Sequence, residues 1–165
     1  MPRACHILKQ PFTSMKIRPS FIKALINLWP PFLGAGIRVK AIAHDWQHIE
    51  VRMRLGMTNR NYVGVHFGGS LYAMTDPFFM LMLINTLGKD YIVWDKAGNI
   101  DYIKPGKGVV KAVFSIDTAM LENIRKHTQS GEKHLPELSV DVCDEKGELV
   151  ARVRKTLYIR KKLKV

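Results

Sequence analysis

Between Leu71 and Leu87 the chain runs LYAMTDPFFMLMLINTL, a stretch 17 residues long in which Asp76 is the only charge. A helix that is apolar all round has to be buried, in a membrane or at the centre of a soluble core. The stretch is at the short end for a membrane span and is interrupted by Asp76, Pro77 and Asn85, so the buried soluble helix is the stronger reading. Gly68-Gly69-Ser70 opens this helix and Gly88 closes it. The rest of the chain must then supply enough apolar surface to surround a helix with no polar face.

It does so with strands. Ile37, Val39, Ala41 and Ala43 alternate with Arg38, Lys40, Ile42 and His44. After Asp45-Trp46-Gln47 the alternation continues, with Ile49, Val51, Met53 and Leu55 on one face and His48, Glu50, Arg52 and Arg54 on the other. Two half-buried strands with a short connection predict an antiparallel pair. Beyond the helix, Ile92 to Ile103 reads as one strand or two, broken at Ala97-Gly98. Val110 to Ile116, Leu138 to Val142 and Leu149 to Arg160 read as further strands, with Met120 to Thr128 a short helix or a long excursion. Ahead of the strands, Ser20 is a candidate cap for a helix over Phe21 to Trp29, which Pro30-Pro31 stops. Its residues Phe21, Leu25 and Leu28 follow i, i+4, i+7 and are expected to lie on the core. The pattern predicts an α+β domain over 20–165, a strongly curved antiparallel sheet wrapped around one long central helix, preceded by an arm over 1–19. Runs of strands with one helix between them argue against a doubly wound fold.

Lys and Arg number 26 against 14 Asp and Glu, a net charge of +12. Such a surface attracts polyanions: nucleic acid, anionic lipid, or a phosphate-bearing ligand. Cys5 and Cys143 match no metal-ligand spacing and form no disulfide framework. A reducing compartment fits them, and the N-terminus has no apolar run of signal-peptide length, so a cytoplasmic location is expected.

The segment from Asn61 to Asp76 carries the candidate chemistry. Paired glycines at a helix start let a ligand approach the backbone closely. The first N–H groups of a helix have no intrahelical partner and can polarise a carbonyl or hold an anion. Asp76 is expensive to bury unless it is paired or acts as a base or nucleophile. On one continuous helix it would stand seven residues beyond Gly69, about 10.5 Å along the axis. That is too far for both to act on one carbonyl within a chain, so a shared site predicts a homodimer with its central helices antiparallel.

Asn61, Gly68-Gly69 and Asp76, with Asp101-Tyr-Ile-Lys104-Pro-Gly106 on the strand turn, resemble the hotdog-fold acyl-CoA thioesterases, above all their phenylacetic-acid-type branch. Phe67-Gly-Gly-Ser-Leu-Tyr-Ala-Met-Thr-Asp76-Pro is similar to a subgroup of that superfamily. The likeness covers roughly residues 36–160. It implies a hotdog fold, a homodimer or dimer of dimers with interface sites, and hydrolysis of an acyl-CoA thioester without a metal or separate cofactor, coenzyme A arriving as part of the substrate. Carried over by position, Asn61 orients water or the thioester, Gly68 supplies an N–H to the thioester oxygen, and Asp76 activates water or attacks. The family usually has His directly before Gly-Gly; this chain has Phe67 there and His66 one residue earlier, a shift that turns a side chain away in an extended loop. His66, Phe67, Gly69 and Ser70 are the substrate-binding candidates, with Lys104 and Arg160 for the coenzyme phosphates. Two other readings stand beside hydrolysis: acyl-thioester binding without turnover, and a basic protein of nucleic-acid or membrane surfaces. Against nucleic acid, aromatics are not interleaved with the basic residues.

Overall fold

The structure, a computed structural model, describes residues 18–163. Cys5 and nearly all of the expected N-terminal arm lie outside the described residues. Helix α1 spans Pro19–Leu28 and α2 spans Pro30–Ala35. Pro19 opens α1 with Arg18 at the N-cap, so Ser20 sits inside the first turn and caps nothing. Pro30-Pro31 both ends one helix and begins the next. Trp29 is held extended, closing α1 and preceding α2, because the residue before a proline is disfavoured in the helical region and proline itself suits a helix start.

Strands β1 (Ile37–Ile42) and β2 (His48–Arg54) form the expected antiparallel pair. After a loop come α3 (Gly68–Ala73) and α4 (Phe78–Leu87). Then follow β3 (Tyr91–Tyr102), β4 (Val109–Ser115), α5 (Thr118–Thr128), β5 (Lys133–His134), β6 (Glu137–Asp144) and β7 (Leu149–Lys161). The sheet runs β1-β2-β4-β6-β7-β3 with every pairing antiparallel, and β5 adds to β7. β3 is a single strand whose register shifts between Asp95 and Ala97, a bulge rather than a break. α5 settles the Met120–Thr128 alternative as a helix, capped by the Asp117 carboxylate, which accepts from the N–H of Met120 at 2.7 Å.

One face of the sheet packs on α4. Phe114 of β4 meets Phe78 and Phe79, each with ring centroids 5.1 Å away, and Met82 and Leu83 fill the same layer. Along β7 the inward positions 151, 153, 155, 157 and 159 are all buried, and four of them are Ala, Val, Leu and Ile. The fifth is Lys155.

Two sequence expectations are corrected. The apolar segment is not one continuous helix: α3 and α4 are separated at Met74–Pro77. Pro77 has no N–H to donate to the Ala73 carbonyl. That carbonyl accepts instead from the N–H of Asp76, three residues on, at 3.1 Å. Asp76 therefore stands on a connection between helices. The second correction concerns α1. Phe21, Leu25 and Leu28 face outward, Leu28 being 70% exposed, while Ile22 and Ile26 pack against the core. Two hydrogen bonds fix that orientation: the Asn27 side chain donates to the Val39 carbonyl at 3.0 Å and accepts from the Val39 N–H at 2.7 Å.

Candidate active site

The loop before α3 is organised by two asparagines. Buried Asn59 accepts from the N–H of Gly56 and donates to the carbonyls of Ala35 and Arg54, each at 2.8 Å. Asn61 accepts through Oδ1 from the N–H groups of Val63 and Val65, both at 3.1 Å. Its oxygen is thus committed to the loop, which leaves its Nδ2 as the donor for chemistry. Asn61, His66, Gly68, Tyr102 and Lys104 line one pocket of about 360 Å³.

Gly68 lets the Tyr102 side chain come close to the backbone. A Cβ there would lie 2.8 Å from the Tyr102 hydroxyl oxygen. The N–H groups of Gly68 and Gly69 lie in the first turn of α3 and have no partner in the helix. With six residues, α3 contributes little macrodipole, so the direction of these donors matters more than the helix field. Phe67 precedes them in extended conformation with its ring exposed, and Ser70 is buried.

His66, whose side chain the one-residue shift was expected to turn away, is buried and lines this pocket. It is 2% exposed. Its N–H donates to the Gly106 carbonyl at 3.0 Å, and Nε2 lies 3.2 Å from the Gly108 carbonyl oxygen. That contact assigns the proton to Nε2 and leaves Nδ1, which has no hydrogen-bond partner, as a bare acceptor. Burial pushes the imidazole below its ordinary range, and the bond to Gly108 opposes this only in part.

Asp76 belongs to a second cluster that sequence reasoning missed. The Lys155 ammonium lies 2.5 Å from Asp76 Oδ1 and 3.0 Å from Asp95 Oδ2. The Lys155 side chain is 4% exposed, whereas that of Asp76 is 46% exposed. The ammonium also sits 5.0 Å from the centre of the Tyr72 ring, a cation–π contact. Gly98 makes room for Tyr72, since a Cβ on Gly98 would fall 2.0 Å from the Tyr72 hydroxyl. Burial works to depress Lys155, but its bonds to the two carboxylates outweigh this and keep it charged. Asp95 is pushed above the usual carboxylate range by burial first and by Asp76 next, with Lys155 pulling the other way. A signal for this cluster was present in the alternation of β7, where a lysine takes an inward position between Val153 and Leu157.

α3 and β3 run side by side in opposite directions. Gly68 lies against Tyr102, Tyr72 against Gly98, and Asp76 is bridged to Asp95. Asp76 stands eight residues beyond Gly68, past the end of α3, a separation that helical rise sets on the order of 12 Å. The Gly68 pocket and the Asp76 cluster of one chain are therefore two separate half-sites. Lys104 and Arg160 are also apart. Lys104 stands at the pocket, bonded to Asp144 at 2.7 Å and to Glu148. Arg160 is exposed at the far end of β7, opposite Ile92, about 30 Å from the end that pairs Tyr102.

A family model described as a domain of unknown function, DUF4442, matches residues 18–159. No curated protein matches the chain. Among solved structures, a Pseudomonas aeruginosa protein of unknown function, described as a probable thioesterase, superposes with a TM-score of 0.75 at 19% identity, covering 88% of this chain and 97% of its own. A Haemophilus influenzae thioesterase superposes with a TM-score of 0.66 at 19% identity over 90% of this chain and 94% of its own. A protein of unknown function from Chlorobaculum tepidum gives 0.69 at 17% identity, over 88% and 98%. These likenesses establish the hotdog fold, an antiparallel sheet around a central helical segment.

Proposed function

The chain belongs to the DUF4442 family, and from that premise and the two half-sites we propose that it hydrolyses an acyl-CoA thioester at sites shared between two copies. The observation that carries the reading is the pairing of unlike ends. One end of α3 and β3 offers backbone donors and a pocket; the other offers a half-exposed carboxylate. β3 is an edge strand, 12 residues long, with its outer side unpaired among the described residues, an arrangement proteins seldom leave open. Antiparallel pairing of two β3 edges centred on Gly98-Asn99 would set Tyr102 opposite the partner subunit's Asp95. The Gly68 donors of one subunit then face the Asp76 cluster of the other. The partner subunit's Arg160 comes to flank the same composite site as the candidate for the coenzyme phosphates, whereas Lys104 is already engaged by Asp144 and Glu148.

In this mechanism Asp76 takes a proton from water as the oxygen attacks the thioester carbonyl. The Gly68 N–H receives the developing oxyanion, and Asn61 Nδ2 orients the reacting groups. Collapse breaks the carbon–sulfur bond, and the thiolate leaves with the proton to give free acid and coenzyme A. Two carboxylates around one ammonium leave one unit of negative charge at the cluster.

A second reading, binding of an acyl thioester without turnover, draws on that same ion pair and on Phe67 in the usual histidine position. One assay separates the two: thiol release from short, long and aromatic acyl-CoAs by wild type and by Asp76→Asn. Hydrolysis predicts release by wild type and a loss on the order of 10²–10⁴ in the variant. Binding of acyl-CoA with no release from any member of the panel would establish the second reading.

A further inference from the structure

We propose that α1 and the start of α2 dock the protein peripherally on an anionic lipid surface. The observation is an apolar stripe left exposed among the described residues. At 100° per residue, Phe21, Leu25 and Leu28 fall within about 60° of one another and point roughly 110° away from Ile22 and Ile26, which bind the helix to the core. Trp29 and Leu33 continue the stripe onto α2, and all five are about half exposed or more. The helix is no loose appendage that could turn its apolar side inward. Asn27 clamps it to β1 from both sides of the Val39 peptide, and the Arg38 guanidinium donates to the Asn27 carbonyl at 2.7 Å. The stripe is held outward.

Charge selects the occupant. The first acidic residue of the chain is Asp45; before it stand Arg3, Lys9, Lys16, Arg18, Lys23, Arg38 and Lys40. Of these, Arg18 is exposed at the N-cap of α1, at the head of the stripe, while Lys23 turns to the opposite side, its ammonium donating to the Lys40 carbonyl at 2.9 Å. Phe, Leu and Trp on one side of a short helix, in a segment whose only charges are basic, fit the boundary between lipid headgroups and acyl chains. There the aromatic and aliphatic side chains enter, and the cations meet phosphate. A second copy of the chain would bring the same positive charge to the contact and so fits poorly. No helix among the described residues is long and apolar enough to cross a membrane, and the inference concerns attachment to one leaflet only. It does not depend on the thioesterase reading.

The test is co-sedimentation of the full chain with vesicles, one set of phosphatidylcholine alone and one of phosphatidylcholine with phosphatidylglycerol. Wild type is compared with Leu25→Ser/Leu28→Ser, whose replaced side chains are solvent-facing, and with Arg18→Glu, exposed at the N-cap, which should lose part of the preference for anionic vesicles. Wild type is expected to bind the anionic vesicles at least tenfold better than the neutral ones. High salt, which shortens the Debye length from about 10 Å at 0.1 M, should weaken that preference. The double serine variant should lose about tenfold or more in partition, since both anchors leave the lipid. Circular dichroism confirms that it remains folded. Equal binding to both vesicle types, no binding by wild type, or binding untouched by the serine variant would each overturn the proposal. So would a stripe variant that alters only the sedimentation velocity of the free protein, which would make this face a contact between copies, or a gel shift with duplex DNA in place of vesicle binding.

Discussion

Lys155 has no water to fall back on. Removing either carboxylate leaves it one partner, but removing the lysine leaves Asp76 and Asp95 facing each other. Lys155→Met is expected to destabilise the fold by about 3 kcal/mol at neutral pH, at the low end for breaking a buried pair because Asp76 reaches solvent. The loss should shrink on acidification, as Asp95, raised above the usual carboxylate range, takes up its proton; chemical denaturation at two pH values measures it. Asp95 gives the opposite result. A carboxyl whose folded pKa is raised favours the native state only while protonated, and that contribution is lost as pH rises from the ordinary carboxylate range through the raised value. Asp95→Asn should therefore raise the melting temperature at pH 7, with the difference closing at pH values where the carboxyl is protonated in both states. His66 works from the other side. Its folded pKa is depressed, so the unfolded chain takes up a proton first, and stability falls as pH drops below about 6.5. His66→Gln should flatten that part of the stability profile. The sequence marked Asp76 because a lone charge stands out in an apolar run. It concealed Lys155, whose cationic neighbours Arg152, Arg154 and Lys161 make one more lysine look ordinary, although its strand parity places it inside.

Elements were legible where their period was unbroken. β2, β4 and β7 follow strict alternation with one face on the core, and each was readable to within a residue or two. The β3 bulge was legible only as an ambiguity, since Ala97-Gly98 signals a disturbance without saying whether it ends the strand. α1 was misjudged because periodicity reveals that an apolar stripe exists but not what covers it. The break between α3 and α4 was present in Pro77, yet apolar residues on both sides hid it. At this scale the contact of α3 with β3 makes a separate prediction. Gly98→Ala should cost about 1–3 kcal/mol through overpacking against the Tyr72 hydroxyl. Adding Tyr72→Phe removes that oxygen and should recover most of the loss, a coupling that a double-mutant cycle reads directly.

For the whole molecule, a site divided between subunits predicts complementation. Asn61→Ala and Asp76→Asn should each be nearly inactive alone. Mixed and re-formed, half the dimers carry one variant of each kind, and each of those holds one intact site. Activity should return to about a quarter of wild type, as statistical pairing in a two-fold dimer requires. A site wholly within one chain would give no recovery. The order of the sheet carries a different consequence, for how the molecule is made. Among the described residues β3 pairs only with β7, and β7 is the last of the strands to leave the ribosome. Until it does, the growing chain holds a long strand with two bare sides and a central helix with an incomplete wrap. Both stay open to chaperones and to neighbouring nascent chains. Lys155 arrives within that final strand, so the ammonium that reconciles Asp76 with Asp95 is among the last pieces delivered. A translation product halted at Glu148 would retain both acids but neither the counter-ion nor the strand that brings it.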